Sequence, residues 1–148
     1  MARQQRIEYE GAFYHITSRS NLRSNIFFED TDREKFAEIL QRTKKRYKYV
    51  LHAYVLIDNY CHLLIETPLV NLNQLMQNIN TSYTVFINRK CRRSGHLFQR
   101  RYKAIVVDKD NYLISLSRYI RLNPVRTNIV DFPEQYRWSS CREYVGYL

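Results

Sequence analysis

Two segments of this 148-residue chain carry side chains able to do chemistry together. The first is Asn59-Tyr60-Cys61-His62-Leu63-Leu64, whose composition reads as a strand. Side chains alternate across a strand, so Tyr60 and His62 share one face and Cys61 takes the other. An imidazole there can ligate a metal or move a proton. A half-buried histidine bonded to a backbone partner is the simpler reading of the strand by itself. The second segment is Arg118-Tyr119-Ile120-Arg121-Leu122-Asn123-Pro124-Val125-Arg126. Tyr119 and Asn123 stand one helical turn apart and share a face. Arg118 and Arg121 flank the phenol, and positive charge favours phenolate. Tyr119 is thus a candidate nucleophile; packing against Leu116 and Tyr112 on an amphipathic face is the competing role.

The elements that must position these residues follow from periodicity and punctuation. Gly11 to Arg19 reads as a strand. Thr31-Asp32-Arg33-Glu34 has the form of a capping box opening a helix that carries Phe36, Ile39, Leu40 and Tyr47. Val50 to Ile57 and Tyr60 to Glu66 form a hairpin around Asp58-Asn59, which puts Val55 and Ile57 on the Tyr60/His62 face. A second helix spans about Asn71 to Arg92, and Gly95 closes the basic loop after it. Arg101 to Val107 reads as a strand, and Asp110 caps a third helix ending at Asn123, before Pro124. The tail offers a short helix from Trp138 to Tyr144. The order β-α-β-β-α-β-α predicts an α+β fold, a ferredoxin-like split βαβ sandwich whose antiparallel sheet carries packed helices. No repeat or linker divides residues 1–148, so one domain is expected.

Charge narrows the partners. Lys and Arg number 24 against 14 Asp and Glu, a net charge of +10. That excess points to a polyanion, because cationic side chains gain affinity by releasing counterions from phosphates. Arg89, Lys90, Arg92, Arg93, Arg100, Arg101 and Lys103 cluster with no acid between them. A second cluster, Arg42 to Lys48, reads equally well as a solvated helix face. The 13 tyrosines could stack on unpaired bases, although most are expected in the core or on sheet edges. Three widely spaced cysteines give neither a disulfide framework nor a metal knuckle. With no apolar run of membrane length and no signal-like N-terminus, a reduced, cytoplasmic protein away from membranes is expected.

Five separated motifs resemble a known family. Gly11-Ala12-Phe13-Tyr14-His15-Ile16-Thr17-Ser18-Arg19 looks like the opening strand of the REP-associated tyrosine transposases. These are HUH single-tyrosine transposases related to small bacterial insertion sequences. Leu51-His52-Ala53-Tyr54-Val55-Leu56 with His62-Leu63-Leu64-Ile65-Glu66-Thr67-Pro68 resembles the metal strand. Ser94 to Lys103 resembles the next signature, Arg118 to Arg126 the tyrosine helix, and Trp138-Ser139-Ser140 the closing motif.

The resemblance implies a mechanism. A magnesium or manganese ion, held by a His-x-His pair and a third ligand on the tyrosine helix, polarises a phosphate of single-stranded DNA beside a hairpin. Tyrosine attacks and leaves a 5′-phosphotyrosine link and a free 3′-hydroxyl. By position Tyr119 is the nucleophile, His62 the second histidine and Asn123 the third ligand. Tyr60 stands where the family carries its first histidine, and its phenolate is the only donor offered there. DNA contacts fall to Arg89, Lys90, Arg92, Arg93, Arg100, Arg101, Lys103, Arg118 and Arg121. His15, His52 and His96 match family positions and are expected to be structural or to touch DNA, away from the Tyr60/His62 face. Some relatives form homodimers. The change at Tyr60 leaves a second function open, hairpin-DNA binding without cleavage. An RNA-binding module ranks behind both, because the aromatic strand signature of that class is missing.

Overall fold

The structure, a computed structural model, describes residues 8–21, 24–99 and 102–140. Along the chain run β1 (Ala12–Arg19), α1 (Asp30–Tyr47), β2 (Val50–Ile57), β3 (Tyr60–Thr67), α2 (Leu72–Lys90), β4 (Lys103–Val107), α3 (Lys109–Arg121) and a short α4 (Asn123–Arg126). The strands form one sheet in the order β2-β3-β1-β4, with every pairing antiparallel. This is the expected α+β sandwich.

Period-two alternation splits the apolar side chains between the two sheet faces. Tyr14 and Ile16 of β1 and Cys61, Leu63 and Ile65 of β3 meet Phe36, Ile39 and Leu40 of α1 and Leu72, Leu75, Met76, Ile79, Tyr83 and Ile87 of α2. Phe13, Val55, Ile57, Leu64 and Val107 face the other way, under Ile120 of α3. Helices therefore cover both faces. The register of β2 against β3 shifts between Leu51 and Ala53, so Leu51 packs with the larger cluster and Ala53 with the smaller one. Several tyrosines are core members, as expected. The Tyr83 hydroxyl donates to the Ile26 carbonyl at 2.6 Å, and Tyr49 donates to that of Leu40 at 2.6 Å. Burial pushes the Tyr49 phenol up to about 12.

The structure moves several boundaries. The first capping box lies at Glu29–Asp32, not Thr31–Glu34. The buried Asp32 carboxylate accepts from the N–H groups of Phe28 and Glu29 at 2.9 and 3.1 Å and meets Lys90, so α1 starts ahead of Thr31. Asp108, rather than Asp110, caps α3, accepting from the backbone of Asp110 and Asn111. That helix stops at Arg121, and Pro124 sits in the first turn of α4, where its missing N–H costs nothing. In place of the expected tail helix, the Trp138 carbonyl accepts from Leu56 N–H at 2.9 Å and Ser139 bridges Val55, so residues 138–140 lie along the edge strand β2. The rest of that predicted helix lies outside the described residues.

Candidate active site

The site is built on the two central strands. The register pairs Thr17 with His62 and Arg19 with Tyr60. Alternation then brings His15, Thr17 and Arg19 of β1 onto the face that carries Tyr60 and His62 of β3, while Cys61 points into the large core, as expected. His62 is 8% exposed. Its Nδ1 lies 3.0 Å from His15 Nε2 and 3.1 Å from Thr17 Oγ1. Burial, then the charges of His15, Arg19 and Arg126, push the His62 imidazolium down to about 4. Burial and Lys103 lower His15 as well. Both rings are therefore neutral near pH 7, with lone pairs to offer.

The helix above supplies the phenol. Tyr119 on α3 is 47% exposed, and its ring centroid is 6.5 Å from that of His62 in an edge-on arrangement. The Arg126 guanidinium lies 3.7 Å from the centre of the Tyr119 ring. Asn123, buried at the start of α4, accepts a 2.8 Å hydrogen bond from the Tyr60 hydroxyl. The Tyr60 and His62 rings are 5.2 Å apart, edge to face, and the Arg19 guanidinium lies 5.9 Å from the Tyr60 ring centre. Tyr119, His62, Tyr60 and Asn123 thus stand together on one side of the sheet. Beside them an apolar pocket of about 420 Å³ opens between β4 and α3, lined by His15, Ile105, Val107, Tyr112, Leu116 and Tyr119.

Two expectations about the other histidines are corrected. His15 belongs to the Tyr60/His62 face, because its strand pairs with β3 in that register. His52 also reaches this face, at the far end of the strands, where its Nε2 lies 2.9 Å from Glu66 Oε1 and its ring stacks on Phe13. His96 lies elsewhere, lining a pocket with α2 residues Asn80 and Thr81.

The cationic residues distribute unevenly. Lys103 pairs with Thr17 and so points to the site face, and Arg118 is exposed on α3. The Arg121 side chain folds back, its Nε donating to the Ser117 carbonyl at 3.3 Å. Arg89 and Arg92 are exposed at the end of α2, in the helix layer behind the sheet. Lys90 is engaged by Glu29 and Asp32, and Arg93 donates to Asn88 Oδ1 at 2.8 Å. The loop that follows returns to the site: Gln99 N–H donates to the Arg19 carbonyl at 2.8 Å. Arg100 and Arg101 lie outside the described residues. Charge clustering does not single out Arg19 and Arg126, although both stand within the family motifs.

The donor chemistry tests the implied metal. Of the expected trio, the Tyr60 hydroxyl donates to Asn123 Oδ1, none of the three is a carboxylate, and only His62 offers an imidazole nitrogen. Among the described residues no three or more His, Cys, Asp or Glu side chains gather as a metal cluster. The trio as it stands does not fit a divalent ion.

A sheet strand bearing histidine beneath a helix-borne tyrosine, in a βαββαβ frame, is the layout of a tyrosine transposase. The chain belongs to the IS200-like transposase family, whose model matches residues 8–123. Its fold is similar to that of a REP-associated tyrosine transposase solved bound to a REP hairpin, at 17% identity and a TM-score of 0.84, covering 99% of this chain and 86% of the other. A transposase of Deinococcus radiodurans R1 resembles it at 16% identity and a TM-score of 0.54, over 80% of this chain and 95% of the other. No curated protein matches by sequence.

Proposed function

We propose that this protein binds a DNA hairpin and cuts and rejoins an adjacent single strand through Tyr119. The observation that carries the reading is the half-exposed Tyr119 phenol beside the neutral His62 imidazole on one cationic face. The Tyr119 oxygen attacks phosphorus, the bond from phosphorus to the 3′-oxygen breaks, and the 3′-oxygen leaves as a hydroxyl after taking a proton. The phenolic proton passes to solvent or to a phosphate oxygen, because the His62 imidazole, held down to about 4, binds a proton too weakly to keep it near pH 7. Arg126 and Arg19 offset charge on the phosphate, and Arg126 also orients the phenol by lying on its ring. An unpaired base fits the apolar pocket and stacks on Tyr112 or Tyr119. The exposed Arg89 and Arg92, with the loop returning to Arg19, extend the cationic surface toward a hairpin stem. The phosphotyrosine link conserves the bond energy, so reversal with another 3′-hydroxyl rejoins DNA.

Incubating the protein with a labelled hairpin oligonucleotide and magnesium or manganese is expected to give a denaturant-stable adduct that Tyr119→Phe abolishes. An adduct that survives Tyr119→Phe refutes the assignment of the nucleophile. Hairpin binding without cleavage is the second reading, favoured by the bond that ties Tyr60 to Asn123. It requires wild type and Tyr119→Phe to bind equally and neither to form an adduct.

A further inference from the structure

Three cations surround the neutral imidazole pair. The charges of Arg19 and Arg126 reach His62, and that of Lys103, which pairs with Thr17 across β1 and β4, reaches His15. All three side chains are exposed, and among the described residues none of them is held in an ion pair. Two acids of this side are engaged elsewhere: Glu66 with His52 at the far end of the strands, and Asp108 with the backbone N–H groups that open α3. We propose that Arg19, Lys103 and Arg126 hold the scissile phosphodiester directly and stabilise its charge during strand transfer, so that the reaction needs no divalent ion. The inference rests on Tyr119 as the nucleophile, and it puts fixed side-chain charge in the place of the dication that the resemblance implies.

Charge decides between the two occupants. A dication entering this face meets three like charges, and no carboxylate is among the groups whose charge acts on His62. A phosphodiester monoanion meets three charges of opposite sign. Hydrogen bonding favours the same occupant. His62 Nδ1 has His15 Nε2 at 3.0 Å and Thr17 Oγ1 at 3.1 Å. With both donating to it, the lone pair is taken and the ring proton sits on Nε2. The imidazole then offers a phosphate oxygen an N–H, rather than offering a metal a lone pair. Each guanidinium presents its N–H groups in a fixed fork that matches two phosphate oxygens, and Lys103 adds a point charge. Arg126 lies 3.7 Å from the centre of the Tyr119 ring, so a phosphate that it holds is beside the attacking phenol. As the Tyr119 oxygen bonds to phosphorus and the bond to the 3′-oxygen breaks, negative charge gathers on the two free oxygens, where these groups meet it. The cations exchange no proton. The phenolic proton leaves to solvent or to a phosphate oxygen, and the 3′-oxygen takes one up.

Two measurements on the whole protein test this. In the first, a labelled hairpin oligonucleotide is incubated in excess EDTA or in magnesium at matched ionic strength, and adduct is expected to form at the same rate in both. Phosphorothioate substitution along the single-stranded flank is expected to slow the reaction equally in magnesium, manganese and EDTA, since manganese restores such a reaction only where an ion touches the replaced oxygen. Arg19→Gln and Arg126→Gln are each expected to lower the rate by about 10²-fold. The second measurement does not depend on cleavage. Anisotropy of a labelled single-stranded thymidine oligonucleotide is read with Tyr119→Phe protein. Its affinity is expected to be the same in EDTA as in magnesium, to fall several-fold when Arg19→Gln, Lys103→Gln or Arg126→Gln is added, and to be unchanged by Lys44→Gln. An adduct that forms with manganese and fails in EDTA overturns the inference. So does manganese rescue of the phosphorothioate, or strand binding that ignores Arg19→Gln and Arg126→Gln. Absence of an adduct in every solution refutes Tyr119 as the nucleophile, and the binding measurement alone then decides whether the three cations hold the phosphodiester without an ion.

Discussion

At the residue scale, the site holds two uncharged imidazoles under a canopy of cations. Below its ordinary pKa of 6.5 an unfolded histidine takes up a proton that folded His62, depressed to about 4, refuses. The unfolded chain then binds more protons than the native one, so stability falls as pH drops from about 6.5 to about 4 and is flat above that window. The loss from His62 reaches about 3 kcal/mol, and the lowered His15 adds to it in the same direction. Urea unfolding of metal-free protein across this range checks the slope, which His62→Gln is expected to flatten.

The same residues show what local sequence can reveal. Tyr60 with His62 was legible because both sit on β3 with its period of two; Tyr119 with Asn123 was legible from helical spacing, although the helix breaks at Leu122 and Asn123 opens α4. His15 was not, because its contact with His62 spans 47 residues and depends on the register between β1 and β3. Nothing in the period of either strand fixes that register. Nor does spacing say that Tyr60 turns toward Asn123, a contact made across 63 residues.

At the element scale, strands and long helices followed the apolar pattern, while their ends did not. Helix starts were misplaced at α1 and α3 because Glu29, Asp32 and Asp108 outcompete other residues of the same chemical type a few positions away. Asp32 is decisive for α1. Its buried carboxylate serves two backbone N–H groups and Lys90, which belongs to α2. Asp32→Ala strands those donors and is expected to destabilise the fold by about 3 kcal/mol, read from urea midpoints with unchanged slope. The break between α3 and α4 was anticipated only as a helix end. Pro124 also begins a new turn, and that turn brings Asn123 and Arg126 to the Tyr119 face.

At the scale of the whole molecule, the cations divide into those on the site face and those on outer helix surfaces. Arg19, Lys103 and Arg126 are the former; Arg118 is exposed on α3, and Arg42, Lys44, Lys45, Arg46 and Lys48 are exposed on or just beyond the solvent side of α1. If the single strand contacts roughly three site-face cations, the logarithm of its affinity falls with that of salt at a slope of roughly −2. Arg126→Ala is expected to reduce that slope by about 0.7, whereas Lys44→Ala and Lys45→Ala leave it unchanged, as fluorescence anisotropy at several salt concentrations checks. A slope lost with the α1 variants instead places the strand on the outer helices.

The larger apolar cluster lies on the side of the sheet away from Tyr60, His62 and Tyr119. The bulk of the core and the candidate site thus occupy different layers. A substitution on the site face can therefore change the chemistry on offer there while the helix-packed layer, and the scaffold it holds, stays as it is.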